Sequence, residues 1–223
     1  MNVNKFGMLT RIACSAVFTV ATAATSMAQP LINGGFESDA VGTLTTGWSI
    51  NNGGTTSANY AQSGSKSLLI DSTGVGQWWS PNVYQTFSAS AGQEFNLSGY
   101  MLAPTAIVGG SFGLFKIEFR DAASAILQPA SVSIGGNAAG PYYGAESTPF
   151  LNGASPVGQW VFSEAQGVAP ANTATVWFYA LNVNDLPNSM YFDTISASVV
   201  PEPSTLAVAG LALASLVSFR RRK

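Results

Sequence analysis

Over much of the chain, apolar and polar side chains alternate in short runs, and no long segment keeps an apolar period of 3.6 residues. The runs fall at residues 47–50, 67–70, 82–88, 94–102, 111–120, 159–165, 174–181 and 190–199, and each predicts a strand. In 94–102, for example, Phe95, Leu97, Gly99 and Met101 share one face while Asn96, Ser98 and Tyr100 share the other. Turn signals separate the runs, among them Asn51-Asn52-Gly53-Gly54, Ser63-Gly64, Ala91-Gly92 and Leu186-Pro187-Asn188. A strand with one apolar face needs a second sheet to cover it, so the pattern predicts an all-β sandwich. Residues 129–158 break the pattern with several Gly, four Pro and little alternation. They predict a long loop carrying an irregular hairpin, with Tyr142, Tyr143 and Phe150 as its large aromatic residues.

The two ends read differently. Lys5 and Arg11 precede an uncharged apolar or small-residue run at 12–24, and Ser26-Met27-Ala28 supplies small residues at the −3 and −1 positions of a cleavage site. This is the secretory pattern, with the predicted cut between Ala28 and Gln29. At the other end Pro201-Glu202-Pro203-Ser204 is followed by an apolar stretch at 206–219 and then by Arg220, Arg221, Arg222 and Lys223. Fourteen residues of helix reach about 21 Å, short of a hydrocarbon layer of about 30 Å. Such a segment spans with help from Ser204, Thr205 and snorkelling cations. The basic end stays on the cytoplasmic side, which leaves the body outside, and the prolines stop the helix from running back into the body. The reading divides the chain into a signal peptide at 1–28, one β-sandwich domain at 29–199 and a tail at 200–223, with its motif at 201–204, a transmembrane helix at 205–219 and a basic end at 220–223.

Charge sharpens this division. Of nine Lys and Arg, only Lys66, Lys116 and Arg120 lie between Glu37 and Glu202, the span that holds all eleven Asp and Glu, a net of about −8. So few cations exclude a nucleic-acid partner. There is no His, and the one Cys, Cys14, lies in the front segment. Thiol chemistry, His-assisted nucleophilic catalysis and structural zinc are thereby excluded from the body.

The tail resembles the PEP-CTERM sorting signal of Gram-negative bacteria, in which a Pro-Glu-Pro triplet, a short apolar helix and an Arg cluster close the chain. The resemblance implies recognition of Pro201, Glu202, Pro203 and Ser204 by an exosortase-like membrane enzyme, transient anchoring, and delivery to the cell surface or extracellular matrix. The body resembles the carbohydrate-binding-module-like, or galactose-binding-domain-like, jelly rolls. The matching pieces come in order: Asn33-Gly34-Gly35-Phe36-Glu37, Gly47-Trp48, Ser63-Gly64-Ser65-Lys66-Ser67-Leu68, Val83-Tyr84-Gln85, Phe95-Asn96-Leu97-Ser98-Gly99-Tyr100, Trp160 and Tyr191-Phe192-Asp193-Thr194-Ile195. This implies a single jelly roll. It also implies a structural calcium ion held by the Glu37 and Asp193 side chains with carbonyls near Asn33 and Lys66. Thr194 stands where the family pattern carries a second acidic residue.

Sugars stack their apolar faces on aromatic rings and give their hydroxyls to polar side chains. Trp78, Trp79, Tyr142 and Tyr143 are the candidates for such contacts. Trp48, Trp78, Trp160 and Trp177 are also read as core residues, and a strand would point adjacent Trp78 and Trp79 to opposite faces. Glycoside hydrolysis would need two facing carboxylates. Glu118, Asp121 and Glu164 are the ones to inspect, but nothing in their spacing singles out a pair. The expectation is a non-enzymatic surface protein associated with extracellular polysaccharide or biofilm. The alternatives are a calcium-stabilised module with a defined glycan ligand and a polysaccharide-active enzyme.

Overall fold

The structure is a computed structural model that describes residues 27–29 and 31–200. The rest of the predicted signal segment, the sorting motif and the apolar tail lie outside the described residues. The strands are β1 (Met27–Gln29), β2 (Ser49–Asn51), β3 (Thr55–Ser57), β4 (Ser67–Asp71), β5 (Asn82–Ser88), β6 (Glu94–Leu102) and β7 (Phe112–Arg120). They continue with β8 (Ile126–Leu127), β9 (Ser131–Ile134), β10 (Gly136–Ala138), β11 (Gly144–Glu146), β12 (Val161–Val168), β13 (Thr175–Val183) and β14 (Ser189–Val200). The bond between Ala28 and Gln29, the predicted cleavage point, lies within β1, which pairs with residues 197–199 of β14. Among the described residues no helix is long and apolar enough to cross a membrane.

Two antiparallel sheets face each other. One runs β3-β4-β14-β6-β12-β9, with β1 beside β14; the other runs β10-β11-β7-β13-β5-β2, with β8 beside β7. The predicted alternation places the core between them. Phe95, Leu97 and Met101 of β6 point inward and meet Phe115, Ile117 and Phe119 of β7 and Val176, Phe178 and Ala180 of β13. Burying such a side chain contributes about 1.5–3 kcal/mol. Gly99 belongs to the same inward face because Phe115 fills its space: a Cβ there would lie 2.7 Å from the Phe115 ring.

Every predicted strand forms, with ends shifted by a residue or a few. Residues 129–158 contain more structure than expected. Strand β9 joins the edge of the first sheet, while β10 and β11 form a hairpin on the edge of the second, linked through a 3-10 turn at Gly140–Tyr142. The segment thus crosses from one sheet to the other, and its turn overhangs the outer face of β7. The core reading of the tryptophans needs a correction. Trp48 is buried and stacked on Phe36, with ring centroids 5.5 Å apart. Trp78 is 58% exposed, because it lies in the loop between β4 and β5, where strand alternation does not apply. Trp160 and Trp177 are half-buried.

Candidate functional site: a cleft on the second sheet

On β7 the side chains that turn away from the core are Leu114, Lys116, Glu118 and Arg120, spaced two apart. Cross-strand register puts Tyr179 of β13 opposite Lys116, and Trp177 opposite Glu118. It also puts Glu146 of β11 opposite Lys116 on the other side. These residues would lie on an open surface if the sheet were bare. Instead Lys116 and Glu118 are nearly inaccessible, because two loops rise on either side. One connects β4 to β5 and carries Trp78 and Trp79. The other is the β10–β11 turn carrying Tyr142. The space between is a cleft of about 590 Å³, also lined by Asn51, Asn52, Ser80 and Asn82. That lies within the usual range of about 300–1,000 Å³ for small-ligand sites.

Glu118 is the electrostatic centre of the floor. One carboxylate oxygen takes the Lys116 ammonium at 2.9 Å. The other takes the Arg120 guanidinium at 2.7 Å and the Tyr179 hydroxyl at 3.2 Å. Burial, together with the Glu118 charge, pushes the Tyr179 hydroxyl well above its ordinary pKa, so it stays a neutral donor. The Arg120 guanidinium lies 3.9 Å from the Trp177 ring centroid, and Tyr84 stacks on the same indole at 4.8 Å. Trp177 is therefore engaged by its own neighbours. Glu146 is raised by burial, an effect that Lys116 opposes, and its carboxyl accepts no hydrogen bond among the described residues. Asn82 donates through Nδ2 to the Ser80 carbonyl at 2.6 Å, while its buried Oδ1 has no partner.

The rim is aromatic and open. Trp79 is 55% and Tyr142 70% exposed. The loop carrying the tryptophans is fastened to the β13–β14 connection. The Trp78 N–H donates to the Asn184 carbonyl, the Asn184 N–H donates to the Trp79 carbonyl at 3.0 Å, and Asp185 accepts from Gln77 at 2.6 Å and from the Gly110 N–H at 2.6 Å. Trp78 takes φ 61°, left-handed backbone that is rare for a bulky side chain. Such strain clusters at functional positions. Of the predicted sugar-contacting residues, Trp78, Trp79 and Tyr142 reach the cleft, whereas Tyr143 is half-buried and does not line it. Of the inspected carboxylates, only Glu118 does. Asp121 caps the turn after β7 through the N–H groups of Ala123 and Ala125, both at 2.9 Å. Glu164 accepts from Asn96 on β6 of the other sheet. Lys116, Arg120, Glu146, Tyr179 and Asn82 were not foreseen. The spacing of Lys116, Glu118 and Arg120 on one face of a strand was the available signal, in a body with so few cations.

A second cluster lies where the chain ends meet. A register shift in β14 between Asp193 and Ser196, with Thr194 at φ 51°, turns Asp193 into a corner. There Asp193 accepts the N–H groups of Gln62 at 2.7 Å, Ser63 at 3.1 Å and Thr194 at 2.6 Å. Glu37 accepts from the Ser65 N–H, the Ser65 hydroxyl and the Lys66 N–H, each at 2.8 Å, which together hold its pKa low. Asp193 is raised by burial, and the Glu37 charge adds to the rise. The Lys66 ammonium goes to the carbonyls of Glu37 at 2.8 Å and Asp39 at 2.5 Å. Neither Glu37 nor Asp193 forms an ion pair among the described residues. Each carboxylate keeps free acceptor capacity, as a calcium ligand would need. The Asn33 carbonyl is less free, since it takes the Phe36 N–H at 3.1 Å and the Trp48 indole N–H at 3.0 Å. No cluster of three or more His, Cys, Asp or Glu is present among the described residues. The corner thus brings the two expected acidic ligands near each other, with the Asn33 carbonyl already in use.

The strand carrying Asp193 runs on to Val200, and the tail begins there. Residues 199–223 match the PEP-CTERM protein-sorting motif. The match covers the tail and leaves the sandwich to other comparisons. No curated protein matches the chain in sequence. Among solved structures, the fold is similar to the CBM22-1 xylan-binding domain of Paenibacillus barcinonensis Xyn10C, at 17% identity and TM-score 0.52, covering 82% of this chain and 99% of that one. The CBM22-1-CBM22-2 tandem domain of Xyn10C gives 20% identity and TM-score 0.51, over 81% of this chain and 49% of that one. An arabinose-bound α-L-arabinofuranosidase, MgGH51, gives 11% identity and TM-score 0.53, over 78% of this chain and 26% of the enzyme. At these identities the likeness is one of fold: the body is a jelly-roll sandwich of the kind carbohydrate-binding modules use.

Proposed function

We propose that this chain is an exported, non-enzymatic surface protein, sorted through its PEP-CTERM tail by an exosortase-like enzyme, whose body binds carbohydrate in the cleft of the second sheet. The observation that carries the binding half is the placement of Trp78, Trp79 and Tyr142, all exposed, around a floor of polar side chains. Rings supply the apolar faces that sugars stack on, and the floor supplies hydrogen-bond partners. The sorting half is supported by the tail match and by the junction itself. Strand β14 ends at Val200 and the motif begins at Pro201, so the body abuts the segment to be recognised. A signal peptide at 1–28, a bacterial cell surface and association with biofilm or extracellular polysaccharide complete the reading.

The test of sorting is cell fractionation with and without the processing enzyme, followed by mass spectrometry of the new C-terminus. Intact chain with both ends uncut in the cytoplasm overturns it. The test of binding is retention of the full chain on polysaccharides in affinity electrophoresis.

Calcium at the Glu37–Asp193 corner belongs to the same proposal. Ionised Asp193 lies in a buried site beside another carboxylate, so its folded pKa stands above its unfolded one. Without a cation, stability then falls as pH rises from the ordinary Asp value through the raised folded value. A bound cation removes that fall and raises the melting temperature. The expected outcome is a melting temperature lowered by EDTA and restored by calcium, with no response in Asp193→Asn. A wild-type melting curve indifferent to both reagents removes the ion from the account.

One observation favours a hydrolytic reading: Glu118 and Glu146 both face the cleft. Against it, both Glu118 oxygens are held by cations, so Glu118 is not free to act as nucleophile or base and Glu146 is left without the second carboxylate that hydrolysis needs. Release of new reducing ends from a bound polysaccharide would establish that reading.

A further inference from the structure

We infer that the cleft selects an uncharged, hydroxyl-rich glycan chain and rejects carboxylated or sulfated ones, with Asn82 Oδ1 and the Glu146 carboxyl as the acceptors that read its hydroxyls. This rests on the glycan-binding reading and adds the chemical class of the ligand.

The argument is an inventory of hydrogen-bonding capacity. Asn82 is 6% exposed, its amide donates to Ser80, and its Oδ1 is buried with no partner. A buried acceptor in that state is rare unless a donor arrives from elsewhere, and the residue that carries it lines an open cleft. The Glu146 carboxyl is a second acceptor without a hydrogen bond among the described residues. Hydroxyl groups are the donors that match both.

The two cations, by contrast, are already paired with Glu118. Lys116 gives its ammonium to one Glu118 oxygen at 2.9 Å. Arg120 gives Nε to the other at 2.7 Å, reaches the Ser124 carbonyl at 3.5 Å, and lays its face on Trp177. Carboxylate and sulfate groups are acceptors only, so they need free charged donors to replace their water.

The charge count agrees. The cleft has two cations against two carboxylates. Outside it, the described residues hold eight carboxylates against Lys66, whose ammonium is taken by backbone carbonyls. A polyanion approaching this body meets net repulsion and no compensating cation in the site.

The experiment compares matched polymers by affinity electrophoresis of the full chain at low ionic strength. The backbones are a β-glucan, a xylan, a galactan and a dextran, each unsubstituted and carboxymethylated. We expect at least one unsubstituted polymer to bind, with its carboxymethylated form about tenfold weaker and partly recovered by added salt. Glu146→Gln is expected to narrow that gap by relieving repulsion. Asn82→Ala is expected to weaken the unsubstituted polymer about tenfold, with the melting temperature lowered only by the loss of the Ser80 hydrogen bond. A carboxymethylated polymer bound as tightly as its parent overturns the charge selection and leaves glycan binding standing. Unchanged affinity in Asn82→Ala removes that residue's role. Silence across every polymer overturns the glycan-binding reading, and this inference with it.

Discussion

The outer face of the β6–β12–β14 sheet is an open plane, whereas the outer face of the β7–β13–β5 sheet is sunk beneath loops. The first carries Asn96, Ser98 and Tyr100, then Phe162, Glu164 and Gln166, then Ser196 and Ser198, all exposed or half-exposed. The second carries Lys116 and Glu118, which the loops with Trp78, Trp79 and Tyr142 remove from solvent. Both faces are made by the same alternation about one shared core. The strands decide which side chains leave the core, and the connections decide whether those side chains meet water or a ligand. A charged group on the plane is solvated and cheap to change. The same group in the cleft is desolvated, and its neighbours depend on it.

Removing one carboxylate from each face gives the largest expected contrast. Glu118→Ala leaves the largely buried Lys116 and Arg120 facing each other without their shared partner. Loss of one member of a buried ion pair costs about 3–5 kcal/mol, so the urea midpoint should fall by a large fraction of its value. Glu164→Ala removes a hydrogen bond to Asn96 on the plane and should cost about 1 kcal/mol. Equal effects from the two variants would mean that the cleft is as wet as the plane.

The sequence made the strands legible and left the cleft largely hidden, for identifiable reasons. The alternation at 94–102 and 174–181 reports directly which residues enter the core, because a half-buried strand has no other way to satisfy both faces. The spacing of Lys116, Glu118 and Arg120 on one face was equally visible. Their burial was not, since it depends on loops whose path has no period. Trp78 illustrates the limit: strand logic would send it inward, but the chain there is a loop with left-handed backbone at that residue. The β10–β11 hairpin was legible only as an irregular hairpin somewhere in 129–158, because three-residue strands such as Gly136–Ala138 are too short to show alternation and so to give its bounds. At the Glu37–Asp193 corner the two acidic residues were identifiable from the family likeness. The register shift that aims Asp193, and the N–H groups of the 62–66 turn that hold both carboxylates, arise from long-range contacts that spacing does not encode.

The next contrast concerns rings. Trp79→Ala removes an exposed indole from the cleft rim, where little of the fold leans on it. Binding of the polysaccharide retained by wild type should weaken about tenfold, equivalent to about 1.4 kcal/mol, while the urea midpoint stays within error. Loss of binding accompanied by an equal loss of stability would recast Trp79 as a structural residue.

The smallest effect is expected on the plane. Phe162 is 47% exposed and meets Tyr100 edge-on at 5.4 Å, an aromatic pair directly opposite across two strands. By composition alone it is as good a sugar platform as Trp79. It differs in what surrounds it: neither ring lines the cleft, and the adjacent Glu164 already takes Asn96 instead of waiting for a partner. A ligand stacked there gains one ring face and keeps its other face in water. Phe162→Ala should therefore shift the affinity measured in the Trp79 experiment by less than about twofold, roughly 0.4 kcal/mol, and should cost about 0.5–1 kcal/mol of stability through the lost cross-strand pair. A loss of binding comparable to that of Trp79→Ala would place a second, flat binding surface on the open sheet and would show that walls are not what makes this sandwich hold a glycan.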